Sequence, residues 1–76
     1  MALRQAYRGG HEGRSGWWIQ FDFDETLIES VKAYKHGEQR YWDEARKSWW
    51  ISEDIAEEVA GWMPGFEAHL RQRSLL

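Results

Sequence analysis

The chain contains no cysteine, so neither a disulfide bond nor a thiolate metal site can help to hold it together. It has one proline, and no apolar run approaches the ~18 residues that a membrane-spanning helix needs. With 76 residues it has room for one domain, which buries only about 60% of the surface that the unfolded chain exposes. Stability must therefore come from packing. The lack of cysteine is compatible with the cytoplasmic (intracellular) location that we predict.

Signatures of common catalytic sites are also missing. The chain has no phosphate-binding glycine-rich motif, no Gly-x-Ser-x-Gly elbow and no His-Glu-x-x-His pair. Residues 21–27 resemble the nucleophile loop of haloacid-dehalogenase phosphatases, but those enzymes need a doubly wound sheet for which this chain is too short. His11, His36 and His69 are too widely spaced to suggest a metal site. We therefore predict a protein that is not an enzyme and has no cofactor or metal.

The formal net charge is -3, and this acidity argues mildly against a nucleic-acid partner, because domains that bind nucleic acid are usually basic. The charges are unevenly distributed, however. Acidic residues concentrate in 22–29 and 53–58, whereas arginine and lysine concentrate in 35–50, and three arginines lie in 1–16. A nucleic acid would therefore approach the last two segments.

Residues 1–16 also contain four glycines and show no sustained periodicity. We interpret this segment as a flexible basic N-terminal arm, since its composition is typical of disordered tails. Such an arm can also contact phosphate groups.

Tryptophan, in contrast, is abundant, and five of the six tryptophans lie between residues 17 and 51. Residues 17–23 alternate with period two, which predicts a half-buried strand. One set should face the core and the other should face outward. The predicted inner set is Trp17, Ile19, Phe21 and Phe23, and the outer set is Trp18, Gln20 and Asp22.

Two further aromatic runs, residues 40–42 and 48–51, flank a polar linker and predict a β-hairpin whose turn begins at Asp43. Apolar residues at helical spacing predict a helix after Asp24, which is a suitable N-cap. A second helix should begin after Ser52, and a third, short helix should follow Pro64.

The predicted order is strand, helix, strand, strand, helix, helix. This order favours an α+β fold in which the helices pack on one face of a small three-stranded sheet. Residues 17–73 would form this single domain.

The face of the sheet away from the helices carries the functional prediction. Period-two alternation directs Trp18, Arg40, Trp42 and Trp50 outward if Trp17, Tyr41 and Trp49 face the core. A contiguous exposed apolar patch often marks a binding site. This surface could stack nucleic-acid bases, form a protein or homodimer interface, or simply cover the far side of a small domain. For nucleic acid, the predicted site residues are Trp18, Trp42 and Trp50 for stacking and Arg40, Arg46 and Lys47 for phosphate contacts.

The order of these residues resembles the HARP domain, a small module found beside the motor of Swi/Snf-type annealing helicases and in related phage and bacterial helicase-like proteins. The resemblance spans residues 17 to about 63. The matching residues are the aromatic strand, Leu27-Ile28, Lys32, Arg40-Tyr41-Trp42-Asp43, Lys47, Trp49 and Ser52.

The resemblance implies a strand–helix–hairpin–helix fold that recognises forked or branched DNA, with Arg40, Arg46 and Lys47 as contact residues. This chain has no room for a helicase motor. We therefore predict a helicase-associated type of DNA-binding module that is not itself an enzyme and recognises single-stranded, forked or branched DNA. The alternative is a protein–protein interaction module, either a small regulator or inhibitor or a homodimer, that uses the exposed tryptophan face.

Overall fold

The computed structural model describes the backbone of residues 3–74 and the side chains of residues 3–71. Within that range the chain forms four strands and three helices. In chain order they are β1 (Leu3–Arg8), β2 (Gly16–Phe21), α1 (Glu25–Lys32), β3 (Arg40–Asp43), β4 (Ser48–Ser52), α2 (Glu53–Ala60) and α3 (Phe66–Ser74).

The four strands make one antiparallel sheet in the order β1-β2-β4-β3. The predicted α+β class is confirmed, but the predicted number of three strands is wrong. The helix α1 carries the chain from β2 to β3, and β4 lies between these two strands and runs antiparallel to both. The β3–β4 hairpin is confirmed, and Arg46 N donates to Asp43 Oδ1 at 3.1 Å in its turn.

The extra strand, β1, lies in the segment that composition assigns to a flexible arm. Only Leu3 and Ala6 of this strand are half-buried among exposed neighbours, and the pairing register shifts between Leu3 and Gln5. Edge strands commonly carry charged residues and irregularities of this kind, which prevent pairing with other chains. The shift breaks the period-two signal, so the strand was missed.

The turn between β1 and β2 also escaped prediction. Glu12 and Gly13 both have positive φ angles, 49° and 81°, and His11 and Arg14 exchange backbone hydrogen bonds of 2.9 and 3.0 Å. This is the geometry of a two-residue primed hairpin turn, which is usually signalled by Asn-Gly or Asp-Gly rather than Glu-Gly. Residues 9–15, here named the β1–β2 loop, are therefore an ordered extension of the hairpin.

The start of α1 is fixed by Asp24, as predicted. Its Oδ1 accepts hydrogen bonds from Thr26 N at 3.0 Å and Leu27 N at 3.2 Å. Because the chain leaves the sheet to make this cap, β2 ends at Phe21, and Phe23 is 85% exposed instead of facing the core. The prediction of an inward-facing Phe23 is therefore wrong.

The hydrophobic core lies between the three helices and one face of the sheet, named here the inner face. Trp17 and Ile19 from β2 and Trp49 and Ile51 from β4 supply the sheet side, and their predicted inward orientation is confirmed. The edge of Trp17 meets Phe66 with ring centroids 5.4 Å apart and planes at 89°. The helices complete the core with Leu27, Val31, Ile55, Ala56, Val59 and Phe66, and Met63 joins them from the turn between α2 and α3.

Candidate functional site

The opposite, outer face of the sheet carries four aromatic residues in a line across all four strands. Tyr7 is paired with Trp18, Trp18 with Trp50, and Trp50 with Tyr41. Directly opposed residues on adjacent strands project to the same face, so these four side chains form one set, which we name the aromatic row.

The two tryptophans of the aromatic row are not open to solvent. Trp18 is 4% exposed and Trp50 is fully buried, because the β1–β2 loop folds over them. Trp50 Nε1 donates to Gly9 O at 3.0 Å, and the His11 ring stacks on Tyr41 at 4.2 Å with an interplanar angle of 19°. The predicted orientation of Trp18 and Trp50 away from the helices is correct, but their prediction as an exposed stacking surface is wrong.

Arg46 covers the other part of the aromatic row. Its guanidinium carbon lies 4.2 Å from the centre of the Trp18 ring, which is a cation–π arrangement, and its side chain remains 50% exposed. Asp43 Oδ2 lies 3.8 Å from Arg46 Nε, at the limit of an ion pair. The outward surface above the tryptophans thus consists of Tyr7, His11, Tyr41 and Arg46, with Arg46 as its cation.

The predicted register of β3 is wrong by one residue. Tyr41 is paired with Trp50 and belongs to the outer face, whereas Trp42 is paired with Trp49 and lies on the inner side. Arg40 is opposite Ile51 and likewise projects toward the helices. Arg40 and Trp42 therefore do not join Trp18 and Trp50, because a one-residue shift exchanges the faces of every side chain in a strand.

Arg40 has a structural role at the end of α1. Its Nε donates to Tyr34 O at 3.1 Å and its Nη2 donates to Lys32 O at 3.3 Å. Carbonyl groups at a helix C-terminus lack partners within the helix, and a cation there also interacts favourably with the helix dipole. Arg40 thereby holds β3 against α1 and explains the register of this strand.

Replacing Arg40 with Met should keep the aliphatic part of the side chain and remove both hydrogen bonds. We expect Arg40→Met to lower the free energy of unfolding by about 1.5–3 kcal/mol, the range for hydrogen bonds to charged groups. Urea unfolding followed by circular dichroism would measure this loss. Lys35→Met, which removes a cation from an exposed ion pair with Glu38, is the matched control and should change stability by less than about 1 kcal/mol. Equal losses in both variants would contradict the capping role.

Lys47 lies in the β3–β4 turn and is neutralised locally. Lys47 Nζ and Trp42 Nε1 both donate to the Glu44 carboxylate, the second at 2.9 Å. These hydrogen bonds lower the pKa of Glu44, and the hydrogen bond from Lys47 has the larger effect. Glu44 therefore remains ionised at neutral pH. A phosphate group would have to compete with Glu44 for Lys47.

A cleft lies beside the β1–β2 loop. Its volume is about 370 Å³, and its walls are Arg8, Arg14, Ser15 and the loop glycines. Arg8 is already paired with Glu53 at 2.8 Å. A hydrogen bond from Ser52 lowers the pKa of the nearby Asp54, and the charge of Arg14 adds to this effect. Carboxylates at the start of α2 therefore already balance the cations of this cleft.

Of the six predicted site residues, the structure brings together only Trp18, Trp50 and Arg46 on the outer face. Sequence reasoning missed Tyr7, His11 and Tyr41. Tyr41 and Trp42 are adjacent aromatic residues, and period-two alternation cannot decide which of them faces the core. His11 reaches the site only because the glycine-rich β1–β2 loop folds back over the sheet. A strand prediction for residues 3–8 would have found Tyr7.

The fold and this surface define a small α+β domain with one face of its sheet free of helices. Comparison of the chain with protein-family models, with curated proteins and with solved structures gives no match. No helix in residues 3–74 is both long enough and apolar enough to cross a membrane. The resemblance to the HARP domain therefore stays a prediction from the sequence.

Proposed function

We propose that the chain binds nucleic acid on the outer face of its sheet, with a preference for single-stranded or forked DNA. The observation that carries this proposal is the layer above the aromatic row. Arg46 lies 4.2 Å over Trp18, and His11 is stacked on Tyr41 at the same distance. Aromatic and arginine planes at the surface of a sheet are suited to stacking unpaired bases, and each such stack contributes about 1–3 kcal/mol.

The distribution of charge favours the same side of the molecule. The exposed surface of the helices carries carboxylates, among them Glu25, Glu29, Glu57 and Glu67. A phosphate backbone is repelled there, whereas the β3–β4 turn, in which Asp43 and Glu44 balance Arg46 and Lys47, is neutral and does not repel it. The acidic net charge thus limits where nucleic acid can bind without excluding it.

The residues of the HARP-like pattern divide into two groups in this structure. Trp49 lies in the core and Arg40 is bonded to the end of α1, so these two support the fold. Tyr41 and Lys47 lie at the surface, the first on the outer face and the second in the adjoining turn. The proposed contacts are therefore Arg46, Lys47, Tyr41, His11 and Tyr7, with Trp18 and Trp50 beneath them.

The test is a tryptophan fluorescence titration with single-stranded, forked and duplex DNA at two salt concentrations. The double variant Arg46→Ala, Lys47→Ala should bind single-stranded and forked DNA more weakly. It should also reduce the salt dependence by about 0.7 in log–log slope for each phosphate group that the variant no longer neutralises. Arg46 lies over an indole ring, so Trp18 should report binding directly.

Arg71→Ala is the matched control, because it removes an exposed cation from α3, where it is paired with Glu67 at 2.7 Å. This variant should keep the affinity and the salt slope of the parent chain. Unchanged affinity and slope in the Arg46, Lys47 double variant, or no response of the folded parent to any DNA, would refute the proposed site.

A further inference from the structure

The imidazole of His11 is held in a defined position over the aromatic row. Its ring centre lies 4.2 Å from that of Tyr41, 5.2 Å from that of Trp50 and 6.1 Å from that of Trp18. The backbone of His11 is fixed as well, because it exchanges two hydrogen bonds with Arg14 across the hairpin turn. The ring is therefore part of the outer surface rather than a group that only passes near it.

The two nitrogen atoms of this imidazole have no partner in the part of the chain that the structure describes. The side chain of His11 forms no hydrogen bond or ion pair there, and neither ring nitrogen is among the buried polar atoms that lack a partner. Since the residue is only half-buried, both nitrogens reach solvent. Stacking thus fixes the ring, while its polar atoms remain available to a ligand.

The cations of the neighbouring β3–β4 turn are balanced by carboxylates, whereas His11 has none beside it. Arg46 Nε lies 3.8 Å from Asp43 Oδ2. Lys47 is paired with Glu44. With a neutral imidazole, this turn and the aromatic row together carry no net positive charge. Protonation of His11 adds a charge without a carboxylate partner, and such a charge attracts a phosphate group more strongly than a balanced one.

The other charged or titratable groups around His11 do not replace this charge. Arg14 shares the hairpin turn, but its charge acts on a carboxylate at the start of α2. Glu12 is exposed in the same turn, and Tyr41 carries a neutral hydroxyl group. His36 is exposed and lies farther away, 6.3 Å from the Tyr41 ring. Because histidine is the side chain that normally changes charge between about pH 5 and 8, His11 is the group that sets the charge of the outer face in this range.

We propose that nucleic acid binds to the outer face together with a proton, which His11 takes up as its imidazolium contacts a phosphate group. This inference rests on the proposed nucleic-acid binding and adds its dependence on pH. The imidazolium keeps its stack on Tyr41, because a cation over an aromatic ring is favourable. The protonated form binds more tightly, so affinity rises as the pH falls and is lost as the pH rises. Uptake of one proton limits this change to about tenfold for each pH unit.

The test is a titration with single-stranded DNA at about pH 5.5 and about pH 7.5, which lie on either side of the usual charge change of histidine. At the lower pH we expect an affinity about tenfold higher and a salt slope steeper by about 0.7, since one more phosphate group is neutralised. His11→Gln keeps a planar polar side chain that cannot take up a proton, and its affinity should be the same at both pH values. His69→Gln removes an imidazole from α3 and is the matched control, which should keep the pH dependence of the parent chain.

A second measurement needs no substitution. The NMR signals of the His11 ring should change with pH at a higher value when single-stranded DNA is present than when it is absent. DNA that binds the parent chain equally at both pH values, or a pH dependence that persists in His11→Gln, would overturn this inference and leave the proposed function standing. A pH dependence that His36→Gln removes would also overturn it, because the proton would then belong to His36. No binding at either pH would instead overturn the proposed function, and this inference with it.

Discussion

Replacing Trp50 with Ala is expected to remove a large part of the free energy of unfolding of the chain. Trp50 is fully buried on the outer face, and truncation of a buried tryptophan costs about 3–5 kcal/mol. A domain of 76 residues has a total free energy of unfolding of roughly 4–11 kcal/mol, so this loss removes much of the margin. The change also leaves Gly9 O without its indole donor, which releases the β1–β2 loop. Urea unfolding followed by circular dichroism measures the loss.

Trp42→Ala is the matched control, because it removes the same side chain from a partly exposed position. We expect less than half the loss of stability, with a native spectrum retained. The milder Trp50→Phe keeps a ring but loses the hydrogen bond to Gly9 O, and trypsin should then cleave at Arg14 in the β1–β2 loop faster than in the parent. If Trp50→Ala and Trp42→Ala lose the same stability, the loop does not cover the outer face as described.

The elements that the sequence predicted correctly are those whose signals are local and unambiguous. In β2, the alternation of Trp17 and Ile19 with Trp18 sets both faces. In α1, Asp24 stands at the position where its carboxylate reaches the free backbone N–H groups of the first turn. Each of these patterns involves neighbours within a few residues. A tertiary contact could change the faces of β2 or the start of α1 only at a large cost in free energy.

The elements that were wrong depend on contacts distant in sequence. The orientation of β3 follows from the hydrogen bonds of Arg40 to Tyr34 and Lys32, because the adjacent aromatics Tyr41 and Trp42 are equally acceptable on either face. Similarly, β1 is short of apolar residues, and it is identified only by its pairing with β2. Local propensity carries no information about either choice.

The same reasoning explains why only half of the predicted site came together. Periodicity placed Trp18 and Trp50 on the outer face correctly, but it contains no information on what covers that face. In the folded chain His11 and Arg46 reach over the two indoles from the β1–β2 loop and the β3–β4 turn. A small domain gains stability by burying its largest side chains, so these tryptophans support a layer of smaller groups that face solvent.

A second large loss of stability is expected for Gly16→Ala at the start of β2. An added Cβ would lie 2.2 Å from Ile51 O and 2.7 Å from two atoms of the Trp50 ring. One neighbour is backbone in the paired strand β4 and the other is a fully buried indole, so neither can move without separating β2 from β4. We expect a loss of about 3 kcal/mol, at the upper end of the range for overpacked sites. Urea unfolding would again measure it.

Gly13→Ala separates this steric effect from the general effect of replacing a glycine. Gly13 has a φ angle of 81°, and an added Cβ there would meet nothing within 4 Å. The substitution should cost only the strain of a left-handed backbone, about 1–2 kcal/mol. A Gly16→Ala variant that is no less stable than Gly13→Ala would mean that β2 and β4 are not packed this closely. The aromatic row, and the nucleic-acid surface built on it, would then lose its physical basis, because Trp50 is held between Gly16 and the loop carbonyl of Gly9.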